Sequence, residues 1–256
     1  MGLERFFAWL DRALSPRIVE EASGVVADAL PPRPATPAPG FHPRAAVLSV
    51  DGGGQYLLFA GDVATLGHAR AGEADLGFLA DVGAQHARLV RADSLQSGPG
   101  WRLEPLQGEK VAIDGEPLGP AGRRIEPGQT LRLGENLELR TSVPDPASAC
   151  LVLELLRGAQ CFGARHIVLL AEGRGGRLRL GSAVSHQVRV PGLAFTLEVL
   201  LFPGELEFRC EEPLRGALQG TLGRLRFPPT ERLSFACGSA TGPRPPFGLF
   251  LEPVRR

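Results

Sequence analysis

The chain has 256 residues, and its 28 basic and 28 acidic side chains give a formal net charge of zero. This balance argues against a general nucleic-acid binder or a protein held on an anionic membrane, because both need an excess of positive charge. The 33 glycines and 23 prolines indicate many turns and short strands rather than long helices. Hydrophobic residues make up 43% of the chain, which is enough for a globular protein with a sizeable core.

Residues 1–30 have an apolar spacing typical of helices, and Ser15-Pro16 resembles a helix N-cap followed by proline at the first helical position. We therefore predict a helical segment over 1–30. It either packs on its own domain, which is the commoner case, or docks a partner. The proline-rich stretch that follows predicts an extended linker over residues 31–46.

Beyond the linker, apolar and charged residues alternate with a period of two, as in Leu131-Arg132-Leu133 and Leu178-Arg179-Leu180. Such strands have one face in a core and the other in water, as antiparallel sheets do. Turn signals separate them, and Asp114-Gly115 is the strongest hairpin signal. The sequence therefore predicts an all-β fold of the antiparallel sandwich type, with only the N-terminal segment helical.

A weak internal repeat divides this β-rich part. The stretch from Tyr56-Leu57-Leu58-Phe59 to Gly67 resembles the stretch from Ile167-Val168-Leu169-Leu170 to Gly181, and a histidine follows each, at His86 and His186. The repeat predicts one sandwich over residues 47–148 and a second, degenerate one over 149–256. One continuous, irregular β-domain is the alternative interpretation.

The cysteines and the N-terminus argue for an intracellular protein without bound metal. Cys150, Cys161, Cys210 and Cys237 form no CxxC pair and have no histidine at metal-ligand spacing. No run approaches the roughly 18 apolar residues of a membrane span, and the first residues do not have the pattern of a signal peptide. We expect a cytoplasmic protein that has no metal, no cofactor and no membrane span.

Motifs typical of enzymes are also missing from the sequence. The glycine clusters at 52–54 and 173–176 do not lie between a strand and a helix, and no Walker-type motif is present. Ser185 and His186 are adjacent, so on a strand they would point to opposite faces and would not form a nucleophile–base pair. The sequence predicts a protein that is not an enzyme.

Six short motifs follow one another at compatible spacing between about Leu48 and Leu155, and together they resemble the forkhead-associated (FHA) domain. They are Gly67-His68, Ala74-Asp75-Leu76-Gly77-Phe78-Leu79, Gly83-Ala84-Gln85-His86-Ala87-Arg88-Leu89, Trp101-Arg102-Leu103, Val111-Ala112-Ile113-Asp114-Gly115 and Ile125 to Gly134. The resemblance implies an eleven-strand β-sandwich that binds phosphothreonine peptides with loops at one end and catalyses no reaction.

Carried over residue by residue, the resemblance places substitutions at four positions that contact the phosphopeptide in the family. The family's arginine after the first glycine falls at His68, its phosphate-binding serine at Gly83 and the neighbouring arginine at Ala84. Its asparagine falls at Asp114, whose carboxylate would repel a phosphate. A neutral histidine offers one donor where a guanidinium offers a charged fork, so all four changes weaken anion binding.

The positions that support the loops are retained at Gly67, His86 and Gly115. Arg70 lies in the same loop as His68 and is the residue that we would test for a rebuilt phosphate site, whereas an exposed strand face accounts for Arg88 and Arg91. In the second half, Gly181-Ser182 falls at the Gly-Arg place and Ser185-His186 resembles the Ser-x-His stretch.

These observations predict an interaction protein, an adaptor or scaffold, that binds a protein or peptide partner without requiring a phosphate. One alternative is a phosphothreonine reader in Ser/Thr kinase signalling with a rebuilt site. Another is a structural subunit of a larger assembly, attached by its N-terminal helices. Nucleic acid is not expected as a partner, and the sequence leaves the oligomeric state open.

Overall fold

The computed structural model describes residues 41–92, 100–106, 108–145, 148–159, 162–171, 176–191, 193, 195–202, 205–210, 214–216, 224–227, 233–237 and 247–255. These residues belong to one compact unit. The predicted helical segment over 1–30, and the linker up to residue 40, lie outside the described residues.

The described residues form strands and no α-helix, which confirms the all-β prediction. Their only helical turn is a 3-10 turn at Ala69–Ala71. The strands are β1 (Phe41–Val50), β2 (Gly54–Ala60), β3 (Val63–His68), β4 (Leu76–Phe78), β5 (Ala87–Arg91), β6 (Trp101–Pro105), β7 (Val111–Ile113), β8 (Glu116–Pro117), β9 (Arg123–Arg124), β10 (Thr130–Leu133), β11 (Leu137–Ser142), β12 (Leu151–Arg157), β13 (His166–Leu170), β14 (Arg177–Gly181), β15 (Val188–Arg189), β16 (Leu197–Phe202), β17 (Glu205–Cys210), β18 (Leu214–Gly216), β19 (Arg224–Phe227), β20 (Leu233–Cys237) and β21 (Phe247–Arg255).

These strands form three sheets. The central sheet has eleven strands in the order β18-β20-β21-β1-β2-β13-β12-β11-β10-β7-β8. The first outer sheet has the order β4-β3-β5-β6-β9, and the second outer sheet has the order β15-β14-β16-β17-β19. Each outer sheet packs on one face of the central sheet, so that the molecule has two hydrophobic cores, which we call the first core and the second core.

The middle strands of the central sheet are buried on both faces. In β2, Leu57 and Phe59 point into the first core, whereas Tyr56 and Leu58 point into the second. The strands β12 and β13 divide their apolar residues in the same way. Burial on both faces is the reason why these strands have continuous apolar runs, while strands with one exposed face, such as β10 and β14, alternate.

The two outer sheets have the same pattern of strand pairing. In the first, β3 pairs with β4 in parallel and with β5 antiparallel. In the second, β14 pairs with β15 in parallel and with β16 antiparallel. The strands β2 and β13 also pair in parallel, with Leu57 beside Ile167 and Phe59 beside Leu169. The segments that resemble each other in sequence are therefore neighbours in the central sheet.

The predicted boundaries fall differently in the structure. The strand β1 begins at Phe41, inside the stretch predicted as linker up to residue 46. The boundary at 148/149 lies between β11 and β12, but the central sheet continues across it because β12 pairs with β11 and β13 pairs with β2. The two halves of the β-rich part thus share one sheet and both of its cores.

Candidate functional site

The candidate site lies where the first outer sheet ends, at the carboxyl end of β3. Four connections meet there, namely the segments after β3, before β5, between β6 and β7, and after β10. The register places them together because Leu66 pairs with Ala87, Ala87 pairs with Pro105, and Leu133 pairs with Val111. We refer to this region as the loop end of the first half.

Five of the candidate residues form one cluster at this loop end. The backbone N–H of His68 donates to the carbonyl oxygen of Gly83 at 2.9 Å. A side chain at Gly67 has no room, because its Cβ would collide with the backbone carbonyl of Ala84. Glycine at position 67 is therefore required by the close approach of the loop before β5, while His86 completes the cluster.

His86 holds this loop by hydrogen bonds at both ring nitrogens. Its side chain is 2% exposed. Nδ1 accepts a hydrogen bond from the backbone N–H of Gly83 at 3.0 Å, and Nε2 lies 3.0 Å from the carbonyl oxygen of Lys110. This pattern assigns the proton to Nε2 in the neutral ring. These two contacts join the loop before β5 to the connection between β6 and β7.

Glu109 is the residue of this loop end that the sequence analysis did not find. Its Oε2 lies 3.1 Å from Nδ1 of His86, and its Oε1 fills the space that a Cβ on Gly83 would take. The carboxylate thus lies directly against the glycine. No local motif connects residues 83 and 109, and the strand register is what brings them together.

An open cavity of about 430 Å³ lies beside Gly83 and His86. Its lining includes the acidic residues Asp81, Glu109 and Glu135 and one basic residue, Lys110. Asp81 is fixed by a hydrogen bond from its backbone N–H to the side-chain oxygen of Asn136, at 2.9 Å. The cavity therefore has more negative than positive side chains around it, and an anion there meets repulsion.

His68 and Arg70 form the other edge of the loop end. The Nδ1 atom of His68 accepts a hydrogen bond from the backbone N–H of Arg70 at 3.2 Å, which uses the ring to begin the 3-10 turn. The Arg70 side chain is exposed, and among the described residues it has no ion pair. Arg70 is therefore a cation at this edge, whereas the ring of His68 is committed to local structure.

Asp114 and Gly115 do not join the cluster. They form the predicted hairpin turn between β7 and β8, with positive φ angles of 54° and 83°. The loop end lies before β7 and this turn lies after it, so the two are separated by a strand of about 10 Å. The carboxylate of Asp114 accepts a hydrogen bond from the backbone N–H of Thr130 at 2.8 Å, which stabilises the turn.

The second half has an equivalent loop end in which His186 does not take the place of His86. Leu180 pairs with Val188 and Leu197 as Leu66 pairs with Leu76 and Ala87. Gly181 therefore corresponds to Gly67 and Ser182 to His68, as expected. The residue that corresponds to His86 is Thr196, because it precedes β16 as His86 precedes β5. The match of Ser185-His186 to the Ser-x-His stretch is wrong, because His186 precedes β15 rather than following it.

The local likeness of the two histidines has a physical cause. Nδ1 of His186 accepts a hydrogen bond from the backbone N–H of Ala183 at 3.2 Å, three residues earlier, as Nδ1 of His86 does from Gly83. The Nε2 atom of His186 lies 3.4 Å from the hydroxyl oxygen of Thr196. Both rings thus support a tight loop, but they do so in different connections of the sheet.

Three titratable groups of the described residues have a shifted pKa, and burial is the largest cause of each shift. Burial raises the pKa of the Cys150 thiol to about 12, so this cysteine is unreactive. Burial also raises the pKa of Tyr56 and lowers that of His166. Within the described part of the chain, no group of His, Cys, Asp and Glu residues is arranged to hold a metal ion.

No protein-family model matches this chain, and no curated protein matches its sequence. Among the residues that the structure describes, there is also no helix with the length and hydropathy needed to cross a membrane.

Proposed function

We propose that this chain is a non-enzymatic protein interaction module of the cytoplasm, an FHA-like sandwich whose loop end binds an unphosphorylated protein or peptide partner. The resemblance in sequence is one support. A second is that the described residues between 41 and 142 form eleven strands, the number that the resemblance implies. A third is the single cluster formed by Gly67, His68, Gly83, Ala84 and His86, which are candidate positions from separate motifs.

The position of Glu109 is the observation that best supports the proposed loss of phosphate binding. By the resemblance, position 83 would bear a serine hydroxyl that donates to the phosphate. In this chain the position is a glycine, and the Glu109 carboxylate fills the space beside it. A carboxylate at this place repels a dianionic phosphate and offers it no donor.

The neighbouring positions support the same proposal. His68 has its Nδ1 atom occupied by the backbone N–H of Arg70, and Ala84 is exposed and has no polar side chain. The side chain of Asp114 lies beyond the far end of β7 and is not part of the proposed surface. What remains is a rigid loop end, and loops held by a sheet are common positions for binding residues.

Binding to partners from a cell lysate, with and without prior phosphatase treatment, tests the proposal. We expect the same partners in both cases. We also expect Ala84→Arg to reduce their capture, while Ala183→Arg, a matched change at an exposed alanine of the second half, leaves it unchanged. Loss of the partners after phosphatase treatment, or equal effects of the two substitutions, would contradict the proposal.

Arg70 favours a second candidate function, a phosphothreonine reader with a rebuilt site. It is an exposed cation without an ion pair among the described residues, and guanidinium groups bind phosphate well. Isothermal titration of the full chain with matched phosphothreonine and unphosphorylated peptide pools distinguishes the two candidates. Preference for the phosphorylated pool that is lost in Arg70→Ala, but kept in Arg132→Ala, would establish the reader instead.

A further inference from the structure

The loop end of the first half presents an exposed apolar side chain on a fixed main chain. Leu79 begins the connection before β5 and is 51% exposed, while its backbone N–H donates to the carbonyl oxygen of Ala159 at 2.7 Å. Ala80 and Val82 of the same connection pack partly against the first core. Leu79 thus offers a partner an apolar contact whose main chain is already ordered, so that little conformational entropy is lost on binding.

The cavity of about 430 Å³ at this loop end adjoins the apolar contact, because Val82 lines it and lies three residues after Leu79. Its walls are loops that hold each other in place. The backbone N–H of Asp81 donates to Oδ1 of Asn136 at 2.9 Å, and a Cβ on Gly134 would collide with the carbonyl oxygen of Asp81. The cavity is therefore preformed, and its volume lies in the range of roughly 300–1,000 Å³ that is typical of ligand pockets.

The charges around the cavity favour a cation as its occupant. Asp81, Glu109 and Glu135 line it, and Lys110 is the one basic residue in the lining that the structure describes. Arg70 lies at the other edge of the loop end and is not among the lining residues. A cationic group in the cavity is therefore attracted, and a guanidinium group also matches the geometry of a carboxylate with two N–H donors.

We propose that the partner presents a basic side chain, which enters this cavity, beside an apolar side chain, which packs on Leu79. The inference rests on the proposed function and specifies the chemistry of the partner at the same site. The apolar contact contributes affinity, whereas the carboxylates contribute orientation and specificity. A phosphate group beside the basic side chain would face the same carboxylates, so the partner binds better without it.

Isothermal titration of the full chain with three unphosphorylated peptide pools tests the inference. The pools share the same apolar residues and have arginine, norleucine or glutamate at their central position. We expect the arginine pool to bind about ten-fold more tightly than the glutamate pool, with the norleucine pool between them, and the preference to decrease as the salt concentration rises. An arginine pool that binds no more tightly than the glutamate pool, including the absence of binding by both, would overturn the inference.

Charge changes in the chain locate the attraction. Glu135→Lys reverses a charge in the cavity and should weaken the binding of the arginine pool about ten-fold. Glu116→Lys makes the same change in net charge beyond the opposite end of β7, at a side chain that is 76% exposed, and should leave the affinity unchanged. Equal losses in the two variants would show that the net charge of the chain, rather than the cavity, attracts the pool.

Lys110→Gln removes the basic residue from the lining, and its side chain is exposed. We expect this variant to bind the arginine pool about three-fold more tightly. A loop that is merely disturbed by the substitution binds more weakly, so an increase in affinity reports on charge. Unchanged or weaker binding would contradict the inference.

The apolar contact is tested by Leu79→Ser, which should weaken all three pools about five-fold. Val184→Ser, a matched change at a residue of the second half that is 79% exposed, should leave their affinities unchanged, and equal effects would exclude a contact at Leu79. If the arginine pool is preferred and phosphatase treatment removes the lysate partners, only the proposed function fails. If the partners withstand phosphatase treatment and the pools bind equally, only this inference fails.

Discussion

The two loop ends of the molecule have one backbone frame and different side chains. In the first half, the carboxylate of Asp75 accepts the backbone N–H of Thr65 at 2.9 Å. In the second half, the side-chain oxygen of Gln187 accepts the N–H of Arg179 at 2.8 Å. The register makes these two pairs equivalent, so an acid in one half and an amide in the other perform the same task.

The two loop ends differ at one equivalent position. It is the residue before β5 in the first half and the residue before β16 in the second half. In the first half this residue is His86, which is buried, lies against Glu109 and organises the loop around Gly83. In the second half it is Thr196, which contacts His186. The sheet fixes where the loops begin and end, whereas the loop side chains decide the charge and the hydrogen bonding. Similar frames therefore do not imply similar binding.

The largest expected effects concern the sheet that both halves share. Leu57→Ala opens a cavity in the first core and Leu58→Ala opens one in the second, and each should cost about 2–5 kcal/mol of unfolding free energy. Since both leucines belong to β2, we expect either change to lower one cooperative transition. Urea unfolding followed by circular dichroism and by tryptophan fluorescence measures this.

A Trp9→Phe background leaves Trp101, which is buried in the first core, as the only tryptophan and makes the fluorescence specific. Two separate transitions, with Leu58→Ala leaving the Trp101 transition unchanged, would contradict the shared sheet. The control is Arg132→Ala at an exposed position of β10, for which we expect a change within about 0.5 kcal/mol.

The next effect compares the two equivalent glycines. Gly67→Ala places a methyl group against the backbone carbonyl of Ala84, whereas Gly181→Ala places it mainly against the ring of His186. A side chain yields more easily than main chain, so we expect Gly67→Ala to lose about 1–3 kcal/mol and Gly181→Ala to lose less. Chemical unfolding of both variants measures the difference.

Gly119→Ala is the control for these two glycines. A Cβ at Gly119 meets no atom within 4 Å, so this change should have little effect on stability. A loss in Gly181→Ala as large as that in Gly67→Ala would show that the two loop ends are equally rigid.

A double-mutant cycle tests whether Glu109 occupies the place beside Gly83. Gly83→Ser should cost about 1–2 kcal/mol by overpacking, because its side chain meets the carboxylate. In a Glu109→Ala background the same change should cost less, with a coupling energy of about 1 kcal/mol. Thermal or urea unfolding of the four proteins gives the coupling, and strictly additive effects would place Glu109 elsewhere.

The sequence predicts the fold class because the outer strands have a clear period of two. It also contains a signal for the central strands, since Tyr56-Leu57-Leu58-Phe59 and Ile167-Val168-Leu169-Leu170 are continuous apolar runs. Such runs are typical of strands that are buried on both faces. The sequence analysis interpreted these runs only as a repeat and therefore did not predict that a central sheet lies between two outer sheets. This arrangement follows from the pairing of β2 with β13, and the residues of these two strands are more than a hundred positions apart.

The candidate site is predictable only in its local parts. Gly67, Gly83 and His86 are recognisable because they shape the backbone through close contacts and hydrogen bonds. The place of Glu109 is set by the pairing of β5 with β6, which no short motif records. The hairpin at Asp114 is predicted correctly as a turn, but a three-residue strand moves it to the opposite end of the sheet. The spacing from Gly181 to His186 is far shorter than that from Gly67 to His86, and this difference is a signal against equating the two histidines.

The smallest expected effect on stability concerns the pairing of β2 with β13, which joins the two halves. There the ring of His166 stacks on that of Tyr56 with centroids 5.2 Å apart. Burial lowers the pKa of His166 from its ordinary value of 6.5, Glu154 acts against this and Arg165 adds to it. The unfolded chain therefore binds the proton more readily than the folded one. The contribution of His166 to the free energy of unfolding is therefore fully present above about pH 6.5. It is lost as the pH falls through that value towards the lower pKa of the folded state.

We expect His166→Phe, which keeps a ring against Tyr56 but does not titrate, to lose part of the decrease in melting temperature between pH 7 and pH 5. The effect is small because His166 is only half-buried and the charged ring keeps part of its hydration. The measured quantity is the difference between the variant and the unaltered chain, because the contributions of all unchanged groups cancel in that difference. If the melting temperatures of the two proteins change identically with pH, enough water reaches His166 between β2 and β13 to hydrate the charged ring. The close stacking between the halves would then not extend to this end of the two strands.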